Sequence, residues 1–437
     1  MGSGEAMKIV IAVCLLAFGI SQARQEPSEV RIRFLDSQTG FAIPAETIQL
    51  NRPTRLQAGL PAGVVSVKLD NQPRIVTVTS NGYRPLSFTI LPTDTILQVR
   101  LSPTTLPEEF SSEAISRLRE PHMIIVIGFV SDATKGTALS GVRVSASQSN
   151  ATAETNGRGF FVLHIPAPTG YSSNTAFRTD IQFYKSGYRS LIRQGARVAV
   201  ETTTKYRVRL EPGSGTQTLR EQHRGDNAGQ QDSDSGGPTI SKRAASGAPT
   251  LPSSIRVGRD CSTSTSCTTV EVSALEDYTK HVLPNEWIAS WLAESLKAGS
   301  VAVRSVGVWY TVHPKASSFD VCDTTACQVY DPDNSSSSTD AATDATAKNV
   351  LVQSGTDTVA KAEYAAENNH HSPCDDGQTG DGASWPCADD SVCRGQTLDG
   401  HGRGMCQRGS QRWAQGSKDM DWILTHYYPN FDKVTGN

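Results

Sequence analysis

Two periodicities divide the chain. From Val30 to Leu210 the apolar positions alternate in short runs, as in VRIRF from Val30 and VIGFV from Val126, and Gly, Pro, Asn and Asp break the runs. Period two with turn residues between predicts strands that bury one face. Further on the spacing becomes helical: Ile288, Trp291, Leu292, Leu296, Gly299, Val303, Val306 and Tyr310 fall on one face of a helix predicted from Trp287 to just before Pro314. A strand over Thr268–Val272 and a short helix over Leu275–Leu283 are predicted ahead of it.

The strand-rich part repeats itself. VRIRFLDSQTGFAIP from Val30 is echoed by VIGFVSDATKGTALSG from Val126, Ser80-Asn81-Gly82-Tyr83-Arg84 by Lys185-Ser186-Gly187-Tyr188-Arg189, and Val99-Arg100-Leu101-Ser102-Pro103 by Val208-Arg209-Leu210-Glu211-Pro212. Matched order predicts two tandem all-β sandwich domains, residues 28–103 and 124–212, with a connector at 104–122 carrying a short helix at Glu113–Leu118. From 213 to 254 the composition turns to Gly, Ser, Gln, Asp and Ala, with Leu219, Ile240 and Leu251 as the large aliphatics. Such a segment buries too little apolar surface to offset its ordering entropy, so it reads as a flexible linker. Residues 255–437 form the third, α+β domain.

With 437 residues the chain has room for about two to four domains. The net charge of -3 gives no general attraction to nucleic acid, and no Lys/Arg run with interleaved aromatics supplies a local one. Lys8, the apolar run Ile9–Ile20 and the small residues of Ser21-Gln22-Ala23 read as a cleaved secretory signal over residues 1–23. That run is shorter than the roughly 20 apolar residues of a spanning helix, so no membrane span is expected after cleavage. The mature chain is then exported to periplasm, cell wall or extracellular space.

Of the nine cysteines, Cys14 falls in the signal, and Cys261, Cys267, Cys322, Cys327, Cys374, Cys387, Cys393 and Cys406 all lie in the third domain. An even set in an oxidising compartment predicts disulfides, with connectivity left open. The rival is zinc on Cys322 and Cys327 with His370, His371 or Cys374, whose spacings match no common finger or ribbon. Otherwise no cofactor is implied.

Three blocks carry the chemistry. The first is Asn285-Glu286-Trp287 running into Glu294-Ser295-Leu296-Lys297-Ala298-Gly299-Ser300-Val301-Ala302-Val303-Arg304-Ser305; the second is Asp320 to Tyr330, ending Gln328-Val329-Tyr330; the third is GHGRGMCQRG from Gly400, followed by Trp413-Ala414 and Ile423 to Pro429. In that order they resemble the sporulation stage II protein D family, SpoIID, which includes the amidase enhancer LytB. The segment around Gly141-Val142-Arg143-Val144 and Thr155 to Leu163 resembles the carboxypeptidase regulatory-like, or transthyretin-like, β-sandwich domains of secreted bacterial proteins.

The first resemblance implies peptidoglycan. Its enzymatic members are lytic transglycosylases acting on glycan strands stripped of stem peptides, while LytB-type members enhance a separate amidase. Breaking a glycosidic bond requires an acid for the leaving oxygen. One Glu suffices when the muramic 6-hydroxyl, rather than water, attacks C1. Glu286 matches the family's Glu, and apolar walls of the kind an acid needs stand beside it in Trp287, Ile288 and Trp291. A carboxylate favoured at a helix start is the competing reading of Glu286. Lys297 and Arg304, seven apart on one helix face, are assigned to substrate binding with Gln328, His401, Arg403 and Gln407, against ion pairs to Asp320 or Asp323 for the two cations. Glu294 pairs with Lys297 at i,i+3. Three substitutions depart from the family pattern: Gly299 for the Gln of K-A-Q-A, Cys406 for the Ser of G-M-S-Q, and Asn368-Asn369-His370-His371-Ser372 for Ser-Gly-Gly.

The expected protein is an exported, disulfide-braced peptidoglycan cleaver that uses Glu286. The alternatives are a non-enzymatic enhancer of a cell-wall amidase and an extracellular adhesion or scaffold protein working through its sandwiches.

Overall fold

A computed structural model describes residues 28–51, 61–69, 72–170, 176–222, 248–368 and 390–437. The secretory signal, most of the linker, and His370, His371, Cys374 and Cys387 lie outside the described residues.

The two echoing segments fold alike. In the first, Ser28–Asp36 runs parallel to Ile96–Leu101, with Asp36 opposite Leu101; in the second, Met123–Asp132 runs parallel to Thr203–Leu210, with Asp132 opposite Leu210. Each closing Asp does the same work. The Asp36 carboxylate accepts backbone N–H groups of Gln38 and Thr39 at 2.8 Å and the Tyr83 hydroxyl at 2.9 Å. Asp132 accepts those of Thr134 and Lys135 at 2.8 Å and the Tyr188 hydroxyl at 2.8 Å. A second sheet, built from Gln49–Leu50, Arg74–Thr79 and Leu86–Ile90, closes the first core around Phe34, Val67, Val76 and Phe88. The second core, around Val126, Phe161, Phe183 and Tyr206, is closed by Arg143–Ala146, Thr152–Glu154, Phe177–Tyr184 and Ser190–Val198. Between the units helix α1 (Ser112–Leu118) is capped by the Ser111 hydroxyl, which accepts from Ala114 N at 3.1 Å.

The linker expectation needs correction where the chain is described. Thr216–Arg220 forms an edge strand parallel to Ser190–Gln194. An edge strand needs only backbone pairing, which a polar sequence supplies as well as an apolar one. Leu251 packs beside Val350 and Val434.

The third unit is not a tethered body. Its hairpin, Ser254–Thr263 and Ser266–Ala274, continues the first unit's sheet: Val270, Glu271 and Val272 run parallel to Leu97, Gln98 and Val99. Asn334–Ser336 adds antiparallel to Thr204–Tyr206 of the second unit. Among the described residues of this unit, four helices surround a central one: α2 (Leu275–Glu286), α3 (Ala293–Val312), α4 (Ser337–Ala345), α5 (Gln407–Gln415) and α6 (Met420–Tyr427), with α3 packed against the other four. The α3 face holding Leu296, Val303, Val306 and Tyr310 is buried as its periodicity predicts, but the helix starts at Ala293 and not Trp287. Residues 335–358, polar and featureless in the sequence, supply α4 and the strand Asn349–Gln353, which pairs with Phe431–Thr435. No helix among the described residues is long and apolar enough to cross a membrane.

Buried ion pairs line these junctions. Fully buried Arg100 reaches Glu271 at 3.0 Å and Asp333 at 2.9 Å, Lys205 reaches Asp340 at 2.9 Å and Arg256 reaches Asp94 at 2.7 Å. Burial alone would raise the Asp333 carboxyl; the Arg100, Arg209 and Arg193 guanidiniums outweigh it and hold it below the usual carboxylate range. Removing one partner strands the others in a dry junction. Arg100→Met is therefore expected to cost about 3–5 kcal/mol of stability in the full chain, read by urea denaturation.

Candidate functional site

Glu286 is the last residue of α2, at a helix C-terminus rather than a start. There the macrodipole disfavours a carboxylate, so the helix-start reading of this residue fails. What holds it comes from elsewhere in the chain. Glu286 Oε1 accepts the backbone N–H of Val329 at 2.8 Å, and Gln407 Nε2 donates to the Glu286 carbonyl at 3.1 Å and approaches Oε2 at 3.4 Å. The side chain is 3% exposed.

Trp287, the next residue, is anchored in the core. Its ring is fully buried, donates Nε1–H to Ser410 Oγ at 3.3 Å, and meets the Tyr364 ring edge-on at 4.8 Å. It lies against α3 at Gly299, where an added Cβ would come within 2.6 Å of the indole. A side chain at this position would collide with the indole. Residues 287–292 form a turn between α2 and α3, in which Leu292 N donates to Gln411 Oε1 at 2.9 Å.

Gln328 is an internal strut. It accepts the Tyr278 hydroxyl at 2.6 Å and donates to the Tyr364 hydroxyl at 2.8 Å, and it is 1% exposed. Its neighbour Val329 thereby presents its N–H to Glu286. The bonded pair Cys322–Cys327 braces the loop leading into this segment, and Cys261–Cys267 staples the hairpin. Two disulfides of the expected set are thus present among the described residues, while Cys393 and Cys406 stand unbonded.

The glycine loop folds back on the chain. Gly404, at φ 67°, sits so close to the strand start that a Cβ would fall 1.9 Å from the Glu363 carbonyl oxygen. Met405 and Cys406 then pair with Tyr364 and Ala365, and α5 starts at Gln407. Of the three loop residues assigned to substrate, Gln407 reaches Glu286. Arg403 Nε pairs with Glu363 at 2.9 Å, and Arg403 N donates to His401 Nδ1 at 3.1 Å. Burial would raise the Glu363 carboxyl, yet His401, Lys361 and Arg403 bring it down to about 2.

Arg304 does not face a cleft. It is fully buried, its Nε is 3.0 Å from Glu276 Oε1 and its Nη2 2.6 Å from Oε2, and it donates to the carbonyls of Asn349 and Thr343. The substrate assignment of Arg304 is thus corrected, as is the alternative pairing with Asp320 or Asp323. Lys297 pairs with Glu294 at 2.7 Å, as i,i+3 spacing predicts, and keeps about a third of its surface exposed. Sequence reasoning missed the Val329 amide, because a backbone donor leaves no mark in residue identity. It also missed the Arg412–Glu367 pair, two contacts of 2.7 Å each.

The family model for SpoIID, Stage II sporulation protein, matches residues 263–353, which contain Glu286, Lys297, Arg304, Gln328 and Val329. No curated protein matches the chain. Similar solved structures include an interface mutant of a type II cohesin–X-dockerin complex from Acetivibrio cellulolyticus, at 15% identity over 21% of this chain and 51% of that one, TM-score 0.14. The Bacillus anthracis TIE protein is 10% identical over 43% of this chain and 34% of that one, TM-score 0.15. The shaft pilin spaA of Lactobacillus rhamnosus GG is 10% identical over 43% and 99%, TM-score 0.14. The chain spans about half the length of the cohesin–dockerin chain. Likenesses this slight carry no argument about fold or function.

The Trp287–Gly299 contact makes one prediction. Gly299→Gln overpacks it and is expected to cost about 1–3 kcal/mol in urea denaturation, with a matching change in Trp fluorescence.

Proposed function

We propose that this chain is an exported peptidoglycan-remodelling protein whose third unit cleaves peptide-free glycan strands, with Glu286 as the single acid and base. The SpoIID match over residues 263–353 ties that segment to a family of the cell envelope and of sporulation. The observation that carries the finer reading is convergence: three separate segments, the end of α2, Gln328-Val329 and the glycine loop, meet on one carboxyl through Val329 N–H and Gln407 Nε2.

In this reading Glu286 gives its proton to the glycosidic oxygen as the C1–O bond breaks. It then takes the proton of the muramic 6-hydroxyl as that oxygen attacks C1, leaving a 1,6-anhydro end. Gln407 and Val329 keep the carboxyl oriented through both steps. Lys297 and His401 are the remaining candidates to meet the sugar or its lactyl carboxylate. No resident metal or cofactor is called for by this chemistry, and the glycan strand is the partner.

One observation favours a second reading. Glu286 is 3% exposed with both oxygens engaged, which also suits a carboxylate that only ties three segments together. The chain would then be a non-enzymatic enhancer that binds wall or a cell-wall amidase.

The two readings part on Glu286→Gln, which keeps the shape and removes the acid. The full chain is the right sample, because Val270–Val272 pairs with Leu97–Val99 of the first unit. Incubated with peptide-free glycan strands, the wild type is expected to release anhydro-muramic ends, and the variant about 10²–10⁴-fold fewer, as loss of a general acid dictates. Intact strands from both proteins, with binding retained, would move the assignment to the enhancer.

A further inference from the structure

Beside the Glu286 site, Cys393 and Cys406 are fully buried with their sulfurs 2.8 Å apart and no bond between them. Two thiols side by side in a closed pocket with Glu367 are open to two chemistries, a metal ion or a covalent bond. Distance decides between them. Two thiolates on one tetrahedral zinc, with Zn–S of about 2.3 Å, stand about 3.8 Å apart, well beyond the separation here. A bridge of about 2.05 Å needs only a small rotation of either side chain. Charge agrees with distance. Arg412 Nη1 lies 3.6 Å from Cys393 Sγ and 2.7 Å from Glu367 Oε1, so a fixed cation already faces two of the three groups a metal would use.

We propose that Cys393 and Cys406 are a disulfide-forming pair that clamps the glycine loop at the root of Gln407. On bonding, each thiol loses its proton, and the two electrons pass to an exchangeable disulfide of a thiol–disulfide oxidoreductase, which leaves as a dithiol. The bridge joins the loop after Asp390 to the N-cap of α5, where Cys406 Sγ accepts from Gly409 N at 3.1 Å and Asn368 N at 3.4 Å. The hydrogen bond to Cys406, then burial and Asp390, push the Cys393 thiol up, which slows exchange in the folded chain and favours closure before the pocket forms. Gln407 follows the clamped residue directly, so the bond fixes the side chain that meets Glu286. That consequence rests on the glycan-cleavage reading; the pairing does not.

The test uses the full chain secreted into an oxidising compartment and purified without reductant. After alkylation, trypsin and a protease cutting before Asp release Asp390–Arg394 and Gly404–Arg408, each with one cysteine and both free of Cys374 and Cys387. The expected map shows these two peptides joined and separating on reduction. Alkylated free thiols at both, a bridge from either to Cys374 or Cys387, or zinc released in proportion to protein would overturn the pairing. During graded reduction, amide exchange across Met405–Ser410 is expected to rise by about tenfold or more in step with loss of that bridge. A rise that follows only the loss of Cys322–Cys327 would overturn the clamp. Neither readout depends on glycan cleavage, so the two proposals fail separately.

Discussion

The Trp287 ring needs a place in α3 where no side chain stands, and Gly299 provides it. The contact joins the end of α2 at Glu286, across the turn of residues 287–292, to α3, which starts at Ala293. Because Glu286 immediately precedes the anchored ring, its carboxyl is delivered to one spot, where Val329 N–H and Gln407 Nε2 meet it. Ser410 and Tyr364, which bind the same ring, tie the glycine loop and its partner strand to that spot.

The frame around this contact is one body built from three units. Backbone pairing carries the first unit's sheet into the third and sets Asn334–Ser336 on the second. Hydrogen bonds of this kind fix register, and the buried pairs of Arg100, Lys205 and Arg256 make any other register costly, since a shifted strand would strand a charge. A scaffold so joined holds Val329, which follows the Cys322–Cys327 loop, steady relative to α2. The N-terminal units are thereby joined by backbone pairing to the unit that carries Glu286.

Much of this was legible in the sequence because repetition and period are local. The echoes around Asp36 and Asp132, Tyr83 and Tyr188, were readable as a repeat, and each pair closes the same turn by the same hydrogen bond. The buried face of α3 was equally plain, whereas Gln407, singled out as a substrate contact, bonds Glu286. The failures share a cause. Ile288, Trp291 and Leu292 have helical spacing, yet a tertiary contact of Trp287 overrides it. Arg304 looked like a cleft cation because Glu276, its partner at 2.6 Å, belongs to another helix and has no spacing relation to it. Thr216–Arg220 looked like linker because an edge strand asks nothing apolar of its residues.

The most direct measurement follows the oxygen that enters at C1. If Glu286 passes its proton to the leaving sugar and takes one back from the muramic 6-hydroxyl, cleavage of peptide-free glycan strands in heavy-oxygen water gives anhydro ends that carry no label. Products with labelled C1 hydroxyls would mean that water attacks, and strands left uncut would mean that the carboxyl serves the fold alone; either result contradicts the account.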